Sequence, residues 1–121
     1  MDRLVKSARK SLLLVDNWTT VETLDMLAAK QKGVAVLVVT SEHRDRKGNP
    51  RPKILPADIA KFNAQYPPLS LRFRENFHDR FLVVDDRELY LIGASLKDLG
   101  KKCFAFTKLD ASEIAGLKAR M

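Results

Sequence analysis

The sequence predicts an α/β domain in which helices pack outside a mixed sheet. Three observations carry this reading. Two continuous apolar runs of strand length, SLLLVDNW and VAVLVVT, flank a helical stretch, the pattern of neighbouring parallel strands covered on both faces. LSLRFRE then alternates apolar with polar, as a half-exposed strand does. Two further runs, FHDRFLVVD and ELYLIGA, meet at Asp85-Asp86-Arg87, which reads as the turn of a hairpin.

Each element has a local reason. In DRLVKSARK, Leu4, Val5 and Ala8 stand at helical spacing among basic residues, giving a short amphipathic helix. After the first strand, Thr19 and Glu22 form a capping box ahead of Val21, Leu24, Leu27 and Ala28. That helix is expected to close at Gly33, with Lys30 and Lys32 suiting its negative end. The second strand gives way to SEHRDRKGNPRPK, a long charged loop that is too polar to pack. Pro56 to Tyr66 is helical by the spacing of Ile59, Ala60, Phe62, Asn63 and Tyr66, and Pro67-Pro68 ends it. In LSLRFRE, Leu69, Leu71 and Phe73 share one face, and Ser70, Arg72 and Arg74 the other. Beyond the hairpin, SLKDLGKK is a loop or a single helical turn and CFAFTKL a last strand. ASEIAGLKARM is a last helix, capped by Asp110 or Ser112. No repeat or linker divides residues 1–121, so one domain is expected.

A chain of 121 residues buries roughly two-thirds of its unfolded surface, enough for a real core. No apolar run approaches the roughly 20 residues a membrane helix needs, and the N-terminus lacks the apolar core of a signal peptide. The single Cys103 cannot form an internal disulfide, which fits a cytoplasmic protein, and its apolar neighbours read as core. The net charge of +7 and the pI of 9.8 point to a polyanionic partner, nucleic acid first and an anionic membrane surface second. Arg44, Arg46, Lys47, Arg51 and Lys53 make the long loop a basic arm, or else a solvated loop.

The chemistry gathers at the hairpin. Strand alternation puts His78 and Arg80 on one face, with Asp79 and Phe81 on the other. A guanidinium fork grips a phosphate in two places, and an imidazole beside it can attack phosphorus or protonate the leaving oxygen. Gly93 and Ser95 end the partner strand, where backbone N–H groups and the Ser95 hydroxyl can cradle the same anion. Lys97, Lys101 and Lys102 extend it. The plain alternative is a half-buried histidine beside a surface arginine. Asp16, Asn17 and Trp18 close a parallel strand, at the edge where α/β sheets take ligands; Asp16 either serves a site or bonds its own turn. Asp85 reads as a turn residue rather than a catalyst, and His43 as a loop residue. Two scattered histidines and one cysteine lack metal-ligand spacing, so neither metal nor other cofactor is expected.

HDRFLVVD resembles the His-x-Lys-x-x-x-x-Asp motif of the phospholipase D superfamily, and GAS resembles the Gly-Ser that follows it; His78, Arg80, Asp85, Gly93 and Ser95 are the matching positions. The stretch through GASLKDLGKKCFAFTK is similar to phospholipase D-like modules of bacterial proteins linked to phage and mobile elements. The resemblance implies one half of that fold over most of the chain. It also implies catalysis without metal through a phosphohistidine, using two facing motifs, and so a homodimer here. Three departures qualify it. Arg80 replaces the lysine, Leu96 and Lys97 stand where an asparagine is expected, and CFAFTK lacks the acid that orients the histidine. Asp98 and Asp110 are the nearest substitutes. Without that partner the imidazole loses control of its tautomer.

The expectation is therefore a phosphate-recognising, nucleic-acid-associated module of weak or no turnover, with Arg80, Gly93, Ser95, Lys97, Arg44, Arg46 and Lys47 on the backbone. Asp16 and Asp85 are candidate supports. The alternatives are a metal-independent phosphodiesterase, nuclease-like, with His78, Arg80 and Ser95 as its catalytic set, and a module reading anionic membrane headgroups.

Overall fold

The computed structural model describes residues 1–75, 77–93 and 106–121. Their order is α1 (Asp2–Ser7), β1 (Ser11–Val15), α2 (Val21–Leu27), β2 (Ala35–Thr40), α3 (Pro56–Gln65), β3 (Leu69–Phe73), β4 (Arg80–Val84), β5 (Glu88–Ile92), β6 (Phe106–Leu109), a 3₁₀ turn (Ala111–Glu113) and α4 (Ile114–Ala119). The six strands form one sheet in the order β3-β2-β1-β4-β5-β6. β1 pairs in parallel with β2, and β2 with β3; the pairings β1–β4, β4–β5 and β5–β6 are antiparallel. The mixed α/β sheet with flanking helices is the fold class expected, and β1 sits where its parallel and antiparallel halves meet.

The two faces have separate cores. Leu12, Leu14, Val36, Val38, Leu82 and Val84 point to one side, where Val5 of α1, Leu24 and Leu27 of α2 and Phe62 of α3 cover them. Leu13, Val15, Val39, Val83 and Leu89 point to the other, under Ile114 and Leu117 of α4. β1 is thus buried on both faces, which explains why SLLLV shows no alternation. The described residues contain no helix long and apolar enough to cross a membrane.

Two local expectations are corrected. The N-cap of α2 is Thr20, not Thr19: the Thr19 hydroxyl donates to the Asp16 carbonyl at 2.8 Å and is buried, so Thr20 and Thr23 do the capping instead. α2 also stops at Leu27, where Ala29 and Lys30 N–H groups tighten onto carbonyls three residues back. Gly33 adopts its left-handed φ of 82° later, in the turn before β2. Lys30 does not sit free at the helix end. It is buried, its ammonium donates to the Pro67 carbonyl at 3.2 Å, and loss of solvation lowers its pKa.

The β4–β5 turn explains Asp85. Asp85 and Asp86 have φ of 56° and 55°, a region aspartate tolerates better than most residues. This conformation turns the Asp85 carboxylate back onto the α1–β1 junction. There it accepts the N–H groups of Arg9 (3.0 Å), Lys10 (2.7 Å) and Ser11 (3.0 Å). Burial pushes this carboxyl up, but the Lys10, Ser11 and Arg9 donors outweigh it and hold the pKa below the usual aspartate value. At the C-terminus Asp110 accepts from Ser112 N–H at 2.8 Å, as expected of a cap.

Candidate functional site

Because β1, β2 and β3 are parallel, the chain leaves all three at one rim of the sheet. The antiparallel β4 begins at that rim and β5 ends there. The topology therefore gathers Asp16 to Trp18, the 41–53 loop, Arg74 and Glu75, the approach to Arg80, and Gly93. This is the carboxyl edge where open α/β sheets bind ligands.

At its centre stand Asp16 and Arg80. Val15 pairs with Phe81, and one further step of that register sets Asp16 opposite Arg80. Both line a cleft of about 360 Å³ together with Leu14, Trp18, Glu22 and Ile92. The Arg80 guanidinium donates to the Gly93 carbonyl at 3.0 Å, which fixes the direction of its fork. Asp16 is only 7% exposed. Burial pushes its carboxyl above the ordinary value, against the opposing pull of the Trp18 N–H, which it accepts at 2.9 Å, and of the Arg80 charge. Asp16 thus both bonds its turn and faces the cleft.

His78 is placed differently from the expectation. β4 starts at Arg80, so strand alternation does not reach it, and its side chain is exposed. The preceding Phe77 anchors the approach: its ring is buried in the second core, and its carbonyl accepts from the Asn17 amide. Asp85 lies at the far end of β4 from Arg80, occupied with the α1–β1 junction. Ser95, Lys97, Asp98, Lys101, Lys102 and Cys103 lie outside the described residues.

The basic loop folds on itself rather than extending as an arm. Arg44 and Pro50 form a β-bridge; the Asp45 carboxylate accepts from Lys47 and Asn49 N–H at 2.9 Å and pairs with Arg51 at 3.0 Å. Arg44 pairs with Glu42 at 2.9 Å. Its root is tied by Glu75, which accepts from the Ser41 hydroxyl at 2.6 Å and Glu42 N–H at 3.0 Å. Those two donors lead the causes that hold its pKa down. Arg46, Lys47 and Lys53 remain exposed.

His43 is more than a loop residue. Its φ is 56°, and its ring lies 4.8 Å from that of Trp18. Its Nε2 is 2.7 Å from the Asn17 carbonyl, which only accepts, so Nε2 carries the proton. The parallel pairing of β1 and β2 was the signal available in the sequence, since it sends both following loops to the same rim. Among the described residues no group of three or more His, Cys, Asp or Glu side chains is placed to hold a metal ion.

Solved structures share this architecture. NucT from Helicobacter pylori superposes with a TM-score of 0.59 at 14% identity, over 98% of this chain and 80% of that one. TrmBL2, an archaeal chromatin protein described as showing a novel mode of DNA binding, superposes with a TM-score of 0.57 at 19% identity, over 98% of this chain. This chain spans only 44% of TrmBL2. At such identities the likeness is one of fold. No protein-family model matches the chain, and no curated protein matches it in sequence.

Proposed function

We propose that this chain is a phospholipase D-like module that reads the phosphodiester backbone of nucleic acid, with weak turnover or none. The carrying observation is Arg80, oriented by Gly93 in a cleft at the carboxyl rim of the sheet. A guanidinium fixed in direction loses less freedom when it forks onto a phosphate, and its hydrogen bonds there are charge-assisted. The surrounding charge is favourable at longer range, with a net +7 and exposed Arg46, Lys47 and Lys53 around the same rim. The fold shared with a DNA-binding chromatin protein supports the choice of nucleic acid. The motif departures, above all the absence of an acid in CFAFTK, support weak turnover.

A second reading keeps the same cleft and adds chemistry. His78 is exposed at the rim, where a second copy of the chain can reach it, as a two-histidine phosphodiesterase requires. One experiment separates the two. Binding of a fluorescent oligonucleotide and its cleavage in chelator are measured for the wild type, Arg80→Ala and His78→Ala. The binding module predicts a loss of about 1.5–3 kcal/mol in Arg80→Ala and near-wild-type affinity in His78→Ala. Chelator-resistant cleavage that disappears in His78→Ala, with a dimer by sedimentation, establishes the enzyme instead. If Arg80→Ala alters neither binding nor cleavage, both readings fail.

A further inference from the structure

Trp18 is 66% exposed, which is unusual for the chain's one tryptophan. It is nevertheless held in place. The Asp16 carboxylate accepts the Trp18 backbone N–H at 2.9 Å, and the Thr19 hydroxyl locks the same turn onto the Asp16 carbonyl at 2.8 Å. His43 stands against its ring at 4.8 Å and 39°. The His43 ring is held by Asn17, and its backbone N–H donates to Ser41 Oγ at 3.1 Å, which leads on to Glu75. A non-glycine residue at φ 56° is uncommon, and here the surroundings hold it so that the imidazole meets the indole. Lys53 adds a cation 5.7 Å from the indole centroid.

We propose that Trp18 is a stacking platform for an unpaired nucleobase. The inference rests on the backbone-reading function above and sharpens it to single-stranded polynucleotide. An exposed, pre-positioned aromatic ring with cations nearby is how strands are held without sequence preference, because every base offers a π face; here Lys53 lies by the indole and Arg80 lines the adjoining cleft. Trp18 and Arg80 line the same cleft, so one nucleotide can set its base on the indole and turn its phosphate toward the guanidinium. Both faces of a base inside a duplex are already covered by its neighbours, so the platform selects against paired strands. The Lys53 cation beside the ring favours this occupant over an apolar protein segment.

The single tryptophan makes the test direct, since intrinsic fluorescence reports Trp18 alone. The protein is titrated with a thymidine 12-mer, an abasic 12-mer of equal charge and a 12-base-pair duplex. The thymidine strand should quench Trp18 and bind about tenfold more tightly than the abasic strand. Trp18→Ala should erase that difference, and Trp18→Phe should keep most of it. An exposed side chain can be truncated without opening the core, so folding is not at stake. Equal affinity for the thymidine and abasic strands without quenching overturns the platform while leaving the backbone reading intact. Quenching by the duplex as strong as by the thymidine strand overturns the preference for unpaired bases. If no oligonucleotide binds, the platform fails together with the backbone reading.

Discussion

Asp85→Asn isolates what the aspartate of the β4–β5 turn does. Asparagine tolerates φ near 56° about as well as aspartate, so the turn itself is not strained by the exchange. The Lys10 and Ser11 N–H groups both bond Oδ1, which an amide oxygen replaces. The Arg9 N–H, shared between both carboxylate oxygens at 3.0 and 3.1 Å, then meets an NH₂ group on one side. A hydrogen bond to a charged acceptor is worth about 1.5–3 kcal/mol when sheltered; the junction is partly exposed, so the expected loss is about 1–2 kcal/mol. In urea denaturation the midpoint should fall by roughly 0.5–1 M. The folded-state pKa is depressed, so the stabilisation is complete above the unfolded value of about 3.9 and is lost as pH falls through the folded value. The gap between wild type and variant should therefore be full at neutral pH and close in acid. Asp85 is five residues along β4 from Arg80, roughly 17 Å at strand rise. Nucleic-acid affinity should accordingly be unchanged while the variant is folded. An unshifted midpoint, or lost affinity in a folded variant, would refute this assignment and return Asp85 to the site.

Two further outcomes concern the cleft. A phosphate arriving beside Asp16 raises a pKa that burial has already raised, so the complex takes up protons and affinity should climb as pH falls. Asp16→Asn should flatten that profile and bind roughly three- to tenfold more tightly at neutral pH; a pH-independent wild type, measured by anisotropy, contradicts it. If Arg80, Arg46, Lys47 and Lys53 neutralise about four phosphates, the log–log salt slope should be near −3.6 on duplex and near −2.8 on a single strand. Affinity that stays flat between low and moderate salt contradicts the polyanion partner.

Periodicity made the architecture legible because each face of the sheet is strongly apolar. Leu12 to Val15 have no polar member, and that uniformity alone reveals a strand covered from both sides. The parallel half then placed Asp16 at the carboxyl edge of the sheet. Helix ends were less legible: Thr19 and Thr20 are equal as caps in sequence, and only the hydrogen bond from Thr19 to the Asp16 carbonyl decides between them. The placement of Arg80 was readable, because its strand is regular. His78 was not, because the anchoring of Phe77 and Asn17 takes the chain out of the strand before Arg80. The meeting of His43 with Trp18 depends on a left-handed backbone in a polar loop, a choice that hydrophobic patterning does not encode.

The position of β1 bears on how the chain is made. Its partner β2 follows closely, but its other partner, β4, lies about 70 residues downstream of it. A chain growing from its N-terminus thus exposes one whole side of its most apolar strand until the hairpin has been synthesised. Closing that long loop is entropically slow, and an open edge of sequence SLLLV is the kind of segment that pairs with other chains. Until β4 emerges, the strand at the centre of the finished sheet is an open edge through which chains can aggregate.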